Sequence, residues 1–105
     1  MKFNIKLLEG EWQKYNEELE LLIRPFPNSK QLLRNPNNSN IGEFYWTIFR
    51  ECVLDWRGAT DGEGNTLKCD DINKQKVFDI DDTLFLFVME KQASIKAQQE
   101  VEVKN

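Results

Sequence analysis

Between residues 41 and 56 apolar side chains return at every third or fourth position: Ile41, Phe44, Tyr45, Ile48, Phe49, Cys52, Val53 and Trp56. On a helix of 3.6 residues per turn all eight share one broad face. A stripe of that width has to be covered by other elements, so it fixes the centre of the core. The spacing predicts a helix over 41–56. Asn40, with Glu43 three positions on, resembles a capping box that opens it. Leu54 falls among the polar residues of the far side, and Trp46 sits at the edge of the stripe. Either a neighbouring element covers these two, or they belong to a surface that a partner covers.

The chain as a whole is short. It has 105 residues, 40% of them apolar and 30% charged, which suits one soluble domain and one modest core. "KFNIKL" (2–7) alternates apolar and polar residues and predicts a half-buried strand, followed by a turn at "EGE" (9–11). Residues 12–26 fit either a helical stripe (Trp12, Tyr15, Leu19, Leu22, Ile23, Phe26) or a strand (Leu19, Leu21, Ile23). A strand over 18–24 pairing with the first is preferred, since a lone edge strand leaves its backbone groups unpaired. Pro25 and Pro27 end whichever element forms. A short helix capped by Asn28 or Ser29 follows, then a loop, "NPNNSN" (35–40). Beyond the long helix comes a polar loop, 58–68. Asp70 is expected to cap a helix over 71–77, and Asp79 a last helix over 80–97 whose first half, Leu84 to Met89, is deeply buried. The expected fold is α+β and mainly helical. A small N-terminal β-hairpin or meander (1–27) precedes three to four helices (28–97) and a frayed tail (98–105), in a single domain.

Chemistry is constrained mostly by what the chain lacks. It has no histidine, the commonest general base and metal ligand. Cys52 and Cys69 lack the close pairing of a zinc site, and Cys52 reads as a small buried hydrophobe on the helix stripe. With no leader and no apolar run of membrane-spanning length, a reducing cytoplasm is the expected compartment. A net charge of −4, with scattered lysines, argues against nucleic acid as partner. Asp61, Glu63 and Asn65 alternate like the start of a calcium loop, yet an EF-hand counted from Asp61 would place Thr66 at the glycine and Ile72 at the bidentate glutamate. Asp-Gly and Gly-Asn read instead as a turn. Asp79, Asp81 and Asp82 could form a metal-dependent hydrolytic centre, but acids gather at helix starts for capping alone. No serine stands in a glycine elbow, and no glycine loop carries a phosphate-binding lysine. The expectation is a protein that is not an enzyme and needs no cofactor.

"ECVLDWRGATDGEGNTLKCDDINKQKVFD" (51–79) resembles the central signature of the phage tail assembly chaperones: a helix running into a W-x-G step, an acidic D-x-x-G-N turn and a capped helix. Trp56, Gly58, Asp61, Gly64, Asn65 and Asp70 are the matching positions, and Cys69 departs from the pattern. "EWQKY…LLIRPFP" also resembles the N-terminal part of these proteins, through Trp12, Tyr15, Ile23, Arg24 and Pro25. The likeness spans most of residues 12–80. It implies a protein that binds the long helical tape measure protein, keeps it soluble in the host cytoplasm, brings tail tube protein around it and is absent from the finished particle. Helix-in-groove recognition would need an apolar helical surface, which the helices over 41–56 and 80–97 can supply. Trp46, Leu54, Phe85 and Phe87 are the expected anchors, while Trp56, Gly58 and Gly64 serve the scaffold. A minor tail or head-tail connector protein retained in the virion is the rival reading, and homo-oligomerisation is left open.

Overall fold

The computed structural model describes residues 1–31 and 40–104. The chain is α+β and mainly helical. Its regular elements are a 3-10 turn (Ile5–Glu9), β1 (Glu11–Lys14), β2 (Glu20–Ile23), α1 (Asn28–Gln31), α2 (Ile41–Cys52), β3 (Val53–Arg57), α3 (Asp71–Ile80) and α4 (Asp82–Lys104). The end of the expected short helix and most of the "NPNNSN" loop, residues 32–39, lie outside the described residues. The three strands form one antiparallel sheet, ordered β1-β2-β3.

Two N-terminal expectations are corrected. "KFNIKL" is not a strand: Phe3 and Ile5 are exposed, and only Leu7 of that alternating set reaches the core, from a 3-10 turn. The first strand, Glu11–Lys14, begins in the expected turn and runs into the stretch left open between helix and strand. It pairs with β2 from Glu11 opposite Ile23 to Lys14 opposite Glu20. Asn16 closes this hairpin, its side-chain oxygen accepting from the backbone N–H groups of Glu18 and Leu19, both at 2.8 Å. The strand expected at 18–24 is present as β2, with Leu21 and Ile23 buried and Leu22 turned to the other face, as the two-residue period demands.

The long helix is shorter than its stripe. It ends at Cys52, and Val53 begins a strand with no intervening loop; the stretch expected to be wholly helical therefore contains β3. A β-bulge makes this possible. Ile23 faces Val53, Leu22 faces Asp55 and Leu21 faces Trp56, so Leu54 is the extra residue. The bulge keeps Val53 and Trp56 on the same buried face although they are three positions apart, a spacing that otherwise signals a helix.

A helix that turns directly into a strand leaves its last four carbonyls without helical partners. Here each finds a donor. The Val53 N–H bonds to the Phe49 carbonyl. Lys74 Nζ donates to Arg50 O at 3.1 Å, and Arg24 Nε donates to Glu51 O at 2.7 Å. The Arg24 backbone N–H reaches Cys52 O at 2.9 Å. Two cations thus stand at the negative end of the helix dipole, and Arg24 Nη2 also holds the Glu51 carboxylate at 2.9 Å. Lys74 is the one buried charged residue among those described.

Asn40 caps α2 as expected, accepting from the N–H groups of Gly42 and Glu43. Asp70 caps α3, accepting from Asn73 N–H at 2.8 Å, and that helix continues to Ile80. The cap of α4 is Asp81 rather than Asp79, which lies inside α3; Asp81 Oδ1 accepts from Leu84 N–H at 3.0 Å. Leu84, Val88 and Ile95 bring α4 into the core with Phe49, Ile48, Cys52, Leu21, Ile23 and Trp56. The helix continues to Lys104, through residues for which the sequence predicts an untethered end.

Candidate functional site

The W-x-G step and the glycine turn form one scaffold. Trp56 is buried, and its indole N–H donates to the Leu67 carbonyl at 2.8 Å, tying β3 to the far side of the polar loop. Gly58 ends the strand, not a helix, at φ +87°, and a Cβ built there would overlap the Glu18 carbonyl. In the loop, Asp61 Oδ1 accepts from the N–H groups of Glu63 and Asn65 at 2.8 and 2.9 Å, and Asn65 Nδ2 donates to Oδ2 at 3.1 Å. Those bonds hold the Asp61 carboxyl below the ordinary aspartate value. Gly64, at φ +86°, completes the turn, and Thr60 pairs with Thr66 across it. Both oxygens of Asp61 are therefore spent on the turn itself.

The four expected anchors do not converge on one surface. Trp46 is half-buried and meets Phe78 at 5.6 Å between ring centroids; Phe78 meets Phe85 at 5.6 Å, edge to face. These two anchors are thus linked through α3. Phe87 packs on Tyr15 of the hairpin at 5.1 Å and carries Lys91 over its ring. Leu54 lies on the opposite face of the sheet, where it and Leu22 flank Gly10. All four are partly buried, and their rings and side chains close gaps between elements.

Among the matching N-terminal positions, Trp12 takes the Arg57 guanidinium over its ring at 3.6 Å. The Tyr15 hydroxyl donates to Thr83 Oγ1, which donates to Asp81. The first contact ties the hairpin to β3, and the second fastens it to the start of α4. The carboxyl of Asp81 is held below the usual range by the Thr83 hydroxyl and the Leu84 N–H. Asp79 and Asp82 are exposed on different helices. Among the described residues no group of three or more metal-ligating side chains comes together. Burial pushes the Cys52 thiol up to about 12 and the Cys69 thiol to about 11, so neither is a thiolate nucleophile at neutral pH.

The exposed apolar surface lies elsewhere. One groove, about 330 Å³, runs between α2 and α4: Phe44 and Ile48 form one wall and Met89, Ala93 and Ala97 the other. Ile41, exposed, extends the first wall at helical spacing. A second groove, about 370 Å³, adjoins it across Phe26 and Lys96 and is lined by Phe3, Ile5, Leu8, Pro25 and Pro27. The sequence pointed to α2 and α4 as the source of such a surface, though through other residues, and gave no sign of the second groove. The Ile41–Phe44–Ile48 series was visible, but its spacing does not tell which members stay exposed: Ile41 does, while Ile48 is buried. Among the described residues no helix is long and apolar enough to cross a membrane. Comparison of the chain with family models, with curated proteins and with solved structures gives no match.

Proposed function

We propose that this chain is a tail assembly chaperone of a bacteriophage. In this reading it binds the tape measure protein in the host cytoplasm, holds it soluble while tail tube protein assembles around it, and leaves before the particle is complete. It makes and breaks no covalent bond. The observation that carries the reading is the groove between α2 and α4, together with the resemblance in residues 51–79. Its walls repeat at helical spacing on both sides, the arrangement that accepts an amphipathic helix. Ala93 and Ala97 keep one wall low, so an incoming backbone can approach closely.

Co-expression tests it. The tape measure protein of the same genome should become soluble and co-purify with this chain. Ala93→Glu together with Ala97→Glu, both at exposed positions, should abolish co-purification while leaving the chaperone folded. No complex and no gain in solubility with the wild-type chain overturns the reading. Detection of the chain in purified virions would favour a retained tail or connector component instead.

A further inference from the structure

We propose, building on the chaperone reading, that one continuous stretch of the partner is held in two parts. An amphipathic helix fills the groove between α2 and α4, an acidic residue at its end meets Lys96, and large apolar side chains just beyond it enter the N-terminal groove. The two grooves meet at Phe26 and Lys96, which line both. A chain that leaves the first groove at that end enters the second. Once the helix is seated, the second contact is intramolecular, so a small apolar surface is enough to add affinity.

The walls of the two grooves call for different occupants. In the first, Met89, Ala93 and Ala97 recur every fourth residue along α4, a run of about 12 Å at 1.5 Å per residue that matches about two turns of a docked helix. The second is walled mainly by the 3-10 turn and by the segment from Pro25 to Pro27. That segment cannot pair with an added strand. Its prolines have no N–H, and the Phe26 N–H already donates to the Gln92 side-chain oxygen at 3.0 Å. Apolar contact is what it offers: Phe3 and Ile5 are 69% and 70% exposed, and Leu8 is half exposed. The second groove therefore takes side chains, not backbone. Charge fixes what stands at the junction. Among the described residues lining the two grooves, Lys96 is the sole charged one. Its Nζ donates to Asn28 Oδ1, a neutral acceptor, at 3.3 Å. Lys2 and Lys6, both exposed, flank Phe3 and Ile5 along the chain. A carboxylate arriving there gains a charge-assisted hydrogen bond, and a cation is repelled.

Photo-crosslinking of the full chain, co-expressed with the tape measure protein of the same genome, tests this. Benzoylphenylalanine replaces Phe44 in one version and Phe3 in another, each a ring for a ring. Both versions should crosslink to the tape measure protein. The two crosslinked sites should lie within roughly ten residues of each other, a span of about 33 Å when extended, with an Asp or Glu between them. Lys96→Glu should weaken the complex about fivefold or more, and changing that acid to lysine in the tape measure protein should restore it. Phe3→Asp with Ile5→Asp should weaken it about tenfold or more and leave the melting temperature unchanged, since both positions are exposed. Crosslinks from position 44 with none from position 3, or from position 3 to a distant segment or another copy of this chain, overturn the two-part grip and leave the chaperone reading standing. So does a charge exchange at Lys96 that restores nothing. A wild-type chain that forms no complex overturns both.

Discussion

A methyl group added at Gly58 would meet the Glu18 carbonyl at overlap distance and would have to sit at φ +87°, where an L side chain costs about 1–2 kcal/mol before any clash. Gly64 has the same φ but nothing within 4 Å of its Cβ position. Gly58→Ala should therefore destabilise by about 3 kcal/mol or more and Gly64→Ala by about 1 kcal/mol, read as urea midpoints of the two variants. Equal losses would show that the close approach of β3 to the hairpin turn is not what holds Gly58. Asp81 offers a second test at this scale. Its carboxyl is bound by the Thr83 hydroxyl and the Leu84 N–H, so its folded value lies below that of the unfolded chain. The stability it contributes is complete above the unfolded value of about 3.9 and is lost as pH falls through the folded one. Asp81→Asn keeps an acceptor at the cap but cannot titrate. The variant should lose less stability than wild type between about pH 5 and about pH 2.5, measured by thermal melting at both.

Among the elements, the junction of α2 and β3 depends on two side chains from distant parts of the chain. Arg24→Met removes the donor to Glu51 O and the shortest ion pair of the Glu51 carboxylate, which keeps Lys30 and Arg50 at 3.8 and 3.7 Å; the expected loss is about 2 kcal/mol. Lys74→Met orphans the Arg50 carbonyl for about 1–2 kcal/mol. Both are measured by chemical denaturation, with near-wild-type midpoints as the contrary result. This junction also marks how far the sequence could be read. Asn40 and Asp70 were legible as caps because a cap is local: an acceptor side chain just ahead of a helix is enough. The α2 stripe was legible for the same reason. Its end was not, because the Leu54 bulge brings Val53 and Trp56 to one face at a spacing that helices also produce. β1 was hidden because its pairing partner, not its own pattern, makes Glu11–Lys14 a strand. Asp79 and Asp81 are two residues apart in a run of acids, and only the break between α3 and α4 decides which one caps. At the surface, three of the four expected anchors were aromatic, and the fold uses those rings internally. Exposure at Phe3, Ile5 and Ile80 follows from packing elsewhere in the molecule and has no local signature.

In the whole molecule, the helices and the sheet share one core, with Phe49, Val53 and Leu21 fully buried at their meeting point. The two apolar grooves share Phe26 and Lys96 and so adjoin each other beside α4. The passage from Cys52 to Val53 is a single peptide bond, and it sets the phase of everything after it. One alanine inserted there would turn Trp56 towards solvent and Asp55 inward, or else tear the last turn of α2 from Arg24 and Lys74. The same insertion between Gly62 and Glu63, in the exposed turn, disturbs only the bonds of the turn to Asp61 and shifts no core residue. The first should abolish cooperative melting and the second should lower the midpoint only slightly, as followed by circular dichroism. An extra residue is tolerable in the exposed turn, while the seam between helix and strand admits no change in length.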